Sequence, residues 1–145
     1  MKTVIVPLFA LCLALGSCAQ DIPQSSVPSV VVNAFNQQYS KATDIDWEMD
    51  GASYKVDFEI LFRDHEVWYD AAGKVVRTKE DIGTTDLPAA VTGAITQSYG
   101  GYKIDDREKW TEGGVTTYMV ELKAKGQDRK VIFDTTGKVL TDVMD

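Results

Sequence analysis

The chain has 145 residues, of which 22 are acidic and 15 basic, a formal charge of −7. A surface that acidic repels phosphate backbones, so nucleic acid is excluded as an expected partner. The two cysteines, Cys12 and Cys18, both stand near the N-terminus. They leave the rest of the chain without a disulfide, a catalytic thiolate or a thiolate zinc site.

Residues 1–17 read as a removable secretory leader. Lys2 supplies the positive start, Val4 to Leu15 an apolar run, and Leu15-Gly16-Ser17-Cys18 a small-residue exit. The run is shorter than the ~20 residues that span a bilayer. Leu-Gly-Ser-Cys also resembles the bacterial lipobox, in which the thiol of Cys18 would receive a diacylglycerol and become the mature N-terminus. Ordinary cleavage after Ala19 is the alternative, since Ser17-Cys18-Ala19 also presents small residues. Residues 18–26 then form a polar tether containing Pro23, suited to holding a domain off a membrane. The expected location is the periplasm or outer membrane, with a lipid anchor.

Val27-Pro28-Ser29 opens a helix, with proline near the first helical position, where its missing N–H is tolerated. Val27, Val31, Ala34, Phe35 and Tyr39 make its apolar stripe. Asp44 to Asp50 alternates strictly, so Ile45, Trp47 and Met49 share one face of a strand. Gly51 turns this strand into a second, Tyr54-Lys55-Val56-Asp57-Phe58-Glu59-Ile60. After another turn His65-Glu66-Val67-Trp68-Tyr69-Asp70 runs on the same period, and a fourth strand reaches about Lys79. The pattern then restarts. Leu87-Pro88-Ala89-Ala90 opens a helix with the stripe Leu87, Val91, Ala94, Ile95 and Tyr99, and strands follow around Tyr118 to Leu122 and Lys130 to Asp134.

Laid on each other, the halves agree at a spacing of 60 through the helices and 64 through the strands. The extra four residues fall between Tyr99 and Tyr118, most simply as a longer first strand and a turn around Trp110 to Gly114. Gly73 and Gly137 sit where a hairpin turn needs positive φ. The expected fold is α+β: a tandem duplication of helix plus four-stranded antiparallel meander, with the helices on one face of a curved sheet. The domain runs over 27–145, with repeats 27–83 and 84–145.

An x-Leu/Val-Pro-x-x-Val helix start, an Asp-x-x-Trp-Glu strand, an aromatic-x-Val-x-Phe-Glu strand and a Tyr-Asp-x-x-Gly-Lys turn, in tandem behind such a leader, resemble one family. It is the secreted PepSY-like, or β-lactamase-inhibitor-like, proteins of bacterial envelopes. The resemblance covers about Val27 to Met144. It implies helices on one side of a curved sheet whose other side is open and able to grip a partner.

For catalysis the mature chain offers a single histidine, His65, and no Gly-x-Ser-x-Gly elbow. Alternating carboxylates are the ordinary wet side of a strand, so the chain reads as a non-enzyme without a cofactor. Asp46, Glu48 and Asp50, ahead of Gly51 and Asp57, approach a Ca²⁺ loop, though Glu48 and Asp57 depart from the pattern. Strand periodicity makes this a weak metal candidate.

A binding surface is the sharper expectation. If Tyr54, Val56, Phe58, Val67 and Tyr69 point inward, Lys55, Asp57, Glu59, Glu66 and Trp68 point outward. In the second half Met119, Glu121, Lys130 and Ile132 do the same. Trp68, Met119 and Ile132 then form an apolar centre, with Lys55, Glu66 and Glu121 as charged surroundings, the pattern of a protein interface. The expected function is a non-catalytic envelope module that binds another envelope or secreted protein, inhibition being one form of that binding. The alternative is a periplasmic protein that binds a small ligand, peptide or ion in envelope stress or sensing.

Overall fold

The computed structural model describes residues 19–145; the leader and the lipidation site at Cys18 lie outside the described residues. Strand alternation sets the architecture. Every second residue of Tyr54 to Ile60 carries an apolar or aromatic side chain, and only an extended chain puts these on one side. The strands are β1 (Gln20–Asp21), β2 (Thr43–Asp50), β3 (Ser53–Ile60), β4 (Arg63–Tyr69) and β5 (Val75–Asp81). They continue as β6 (Lys103–Glu112), β7 (Val115–Lys123), β8 (Arg129–Asp134) and β9 (Val139–Met144). Helix α1 (Ser29–Gln38) lies between β1 and β2, and α2 (Ala89–Ser98) between β5 and β6. Neither is long and apolar enough to cross a membrane.

The tandem helix-plus-four-strand meander is corrected by the strand order. The strands form one nine-stranded antiparallel sheet, each hydrogen-bonded to the next from β1 to β9. No break separates two meanders: β5 pairs with β6 through Arg77–Glu112, Lys79–Trp110 and Asp81–Glu108. The tether also contributes a strand, because Gln20 and Asp21 pair with Met49 and Glu48. Strand edges left bare by two separate meanders would each expose unpaired N–H and C=O groups, and joining them satisfies both. The helices are a minor component of ten residues each.

Both helices lie on the same side of this sheet, over separate apolar cores. Under α1, Val31 and Phe35 pack with Trp47, Val56, Phe58 and Tyr69. Under α2, Val91 and Ile95 pack with Val120, Leu122, Val131 and Phe133. The strand register links the two cores through a polar strip, where His65 faces Glu80 and Glu80 faces Lys109. Helix stripes and strand parity thus agree on what is dry. Burying each large apolar side chain contributes roughly 1.5–3 kcal/mol.

Candidate functional site on the helix-free face

Among the described residues no helix lies over the opposite side of the sheet, and the antiparallel register orders its side chains into rows across the strands. One row runs Glu48, Lys55, Trp68, Arg77, Glu112 and Val115. The next runs Asp57, Glu66, Lys79, Trp110 and Thr117, and a third Asp81, Glu108, Met119 and Ile132. Carboxylates outnumber cations in these rows, and two lysines each bridge several of them, mostly across neighbouring strands. Lys55 Nζ lies 3.3 Å from Glu48, 3.0 Å from Asp57 and 3.1 Å from Glu66. Lys79 Nζ lies 2.8 Å from Glu66 and 3.2 Å from Glu108.

These contacts set the titration of the face. Burial works against the charge on Lys79, but hydrogen bonds to Glu66 and Glu108 outweigh it and push its pKa up to about 12. Lys55 is likewise raised: burial opposes its charge, and Asp57 and Glu66 more than offset that. Burial raises Glu66, yet the two lysines hold it below the usual carboxylate range. Asp57 moves the other way, lifted mainly by burial.

Trp68 points to this face, as strand parity requires, but it is not an exposed anchor. It is 4% exposed, against the expectation of an outward apolar centre. Its ring stacks on Trp110 at 6.0 Å, and the Arg77 guanidinium sits 4.7 Å above it. Its indole N–H donates to Asp50 at 2.7 Å. Flat cations and rings cover one another here because each offers the other a favourable electrostatic face. Lys55 and Glu66, expected at the site's edge, are held in the ion-pair lattice. Glu121 pairs with Lys130 at 3.2 Å.

Met119 and Ile132 are cross-strand partners and belong to a groove of about 500 Å³. Trp110, Val115, Met119 and Ile132 supply its apolar lining, and Glu108, Glu112 and Lys130 its charges. The sequence reading missed Trp110 by assigning it to a turn. The signal was present: Gly113-Gly114 as a two-residue turn pairs Glu112 with Val115, and therefore Trp110 with Thr117. A second depression of about 530 Å³ lies toward the β3–β4 turn and gathers Asp46, Asp57, Glu59, Asp64, Asp81 and Asp106.

The other candidates resolve into structure. Asp46, Glu48 and Asp50 lie along β2, where alternate residues sit about 7 Å apart, so they do not wrap around an ion. Glu48 is engaged by Lys55 and Asp50 by Trp68. His65 stacks on Phe58 at 5.3 Å, and burial lowers its pKa, favouring the neutral imidazole.

The family described as "Putative beta-lactamase-inhibitor-like, PepSY-like" matches residues 16–76 and again 52–141. Three solved structures from Bacteroides share the fold. A BLIP-like protein from Bacteroides fragilis is 27% identical, with a TM-score of 0.67 over 85% of this chain and 87% of its own. A protein from Bacteroides eggerthii, described as "putative periplasmic", is 21% identical, with a TM-score of 0.71 over 81% of this chain and 88% of its own. A DUF2874 family protein from Bacteroides uniformis is 22% identical, with a TM-score of 0.70 over 81% and 88%. No curated protein matches.

Proposed function

Because the chain belongs to the PepSY-like, β-lactamase-inhibitor-like family, we propose that it is a non-catalytic envelope module that binds a protein through the helix-free face. One observation carries this reading. Elsewhere that face is polar, an ion-pair lattice around Lys55 and Lys79 and a cluster of carboxylates toward the β3–β4 turn, whereas the Trp110, Val115, Met119 and Ile132 groove is apolar and open. An apolar centre with charged surroundings is the usual anatomy of a protein interface. Location in the periplasm is supported by the description of the Bacteroides eggerthii relative. Lipidation at Cys18 would hold the module to a membrane, and the N-terminal mass of the protein from its native host reads this directly.

The groove is tested by capture from envelope extracts with wild type and with Ile132→Asp. Ile132 is only partly buried, so the variant should stay folded. A charge in the apolar centre should cost about 2 kcal/mol or more of binding, roughly thirtyfold. Equal capture would discard this face. The groove also has the size of a small-molecule site, which favours the ligand-binding alternative as a second reading. A melting temperature raised by a defined metabolite, and not by the captured protein, would establish that reading instead.

A further inference from the structure

The turn between β3 and β4 is two residues long, since Ile60 pairs directly with Arg63. Leu61 and Phe62 therefore make the whole turn, with φ of 51° and 62°. Both residues in the left-handed region is the type I′ geometry, ordinarily filled by Asn-Gly or Asp-Gly. A side chain on a left-handed backbone crowds the following carbonyl oxygen, which is why glycine is preferred there. Among the described residues the other positive φ angles belong to six glycines and Asp44. Leu61 is 84% and Phe62 97% exposed, so neither recovers the backbone strain by burial. Within the fold this pair only costs stability.

We infer that the Leu61-Phe62 tip is a docking element that enters an apolar pocket of a partner protein, a pocket rimmed by lysine or arginine. Its electrostatic surroundings select that rim. Glu59 and Asp64 pair immediately behind the tip, on the face that also carries Asp46, Asp81 and Asp106. Arg63, beside the turn, is tied to Asp86 at 2.8 Å. An anionic phospholipid surface would be repelled by these carboxylates, and a second copy of the chain would bring the same charges. The tip also points away from the tether. Gln20 joins the sheet opposite Met49, at the other end of β2 and β3, about 24 Å along the strands. The element is separate from the groove and does not depend on its role.

The test uses the full chain in isolated native envelopes, with the photo-crosslinker p-benzoylphenylalanine placed at Phe62 or, as control, at the exposed Val30. A protein adduct should form from position 62 only and be lost in about 1 M NaCl, where the Debye length is about 3 Å. The crosslinked peptide should carry Lys or Arg beside apolar residues. Excess wild-type protein should block the adduct, while L61N/F62G protein should not, although it melts several degrees higher because its turn is relaxed. Mixed phosphatidylethanolamine–phosphatidylglycerol vesicles should not sediment the protein. Adducts equal at both positions, adducts to phospholipid, persistence in salt, or Phe62-dependent vesicle binding would each overturn the inference. A lower melting temperature for L61N/F62G would overturn it too, since the turn would then be a structural optimum.

Discussion

Neighbouring side chains on one strand meet different fates here because the two sides of the sheet are built from different chemistry. Tyr69 and Trp68 are both buried, Tyr69 in the apolar core and Trp68 beneath cations. Asp81 shows the cost of the polar side. Burial raises its pKa above the ordinary 3.8, as do the carboxylates of Asp106, Asp64 and Glu108, while Lys79 pulls it back. A carboxyl that protonates more easily in the folded state lowers stability while ionised. That cost is complete above the folded pKa and disappears as pH falls through it toward 3.8. Asp81→Asn should therefore stabilise the protein at neutral pH by about 0.5 kcal/mol, with the gain fading on acidification. Urea titrations of both proteins at neutral and mildly acidic pH measure this. A gain that does not change with pH would refute the crowding of acids as its cause.

At the scale of elements, helices and hairpins are coupled through glycine. Asp70 and Asp134 each fold a turn by accepting backbone N–H groups, from Ala72 and Lys74 in one case and Thr136 and Lys138 in the other. Gly73 and Gly137 follow with φ of 81° and 84°. A Cβ on Gly73 would come 3.0 Å from the carbonyl oxygen of Val30 in α1, whereas on Gly137 it would overlap that of Ala90 in α2. Gly73→Ala should cost roughly 1–2 kcal/mol, mainly backbone strain. Gly137→Ala should cost roughly 3 kcal/mol, because α2 must also move off the sheet. Equal costs in chemical denaturation would show that α2 is not seated on this turn. The need for glycine at both turns was legible in the sequence, as were the helix stripes and strand parity, because local sterics and period dictate them. That the halves join was legible too, because each alone would leave a bare sheet edge. Whether they do so by pairing β5 with β6 or by packing face to face was not, since that depends on long-range closure that alternation does not encode. Nor was the burial of Trp68: parity gives its side of the sheet but not the cation and the second tryptophan that cover it.

An open sheet of nine strands has two edges, and this molecule protects them unequally. At the first, β1 covers only part of β2, but a register irregularity between Thr43 and Asp46, together with the charges of Asp44 and Asp46, discourages further pairing. At the other, β9 runs Val-Leu-Thr-Asp-Val-Met, with Val139, Leu140, Val143 and Met144 40–67% exposed. Asp142, its one charged residue, is taken up by Arg129 and by the Tyr99 hydroxyl. Unpaired backbone groups flanked by apolar side chains are a template for another strand, most of all when heating loosens the rest of the chain. A lysine on such an edge opposes pairing between copies, because every added strand would bring a like charge. Leu140→Lys should therefore raise the temperature at which light scattering begins, while shifting unfolding stability by no more than about 0.5 kcal/mol, because Leu140 is half exposed. If scattering began at the same temperature in both proteins, association would have to proceed through another surface, and the unequal protection of the edges would have no consequence in solution.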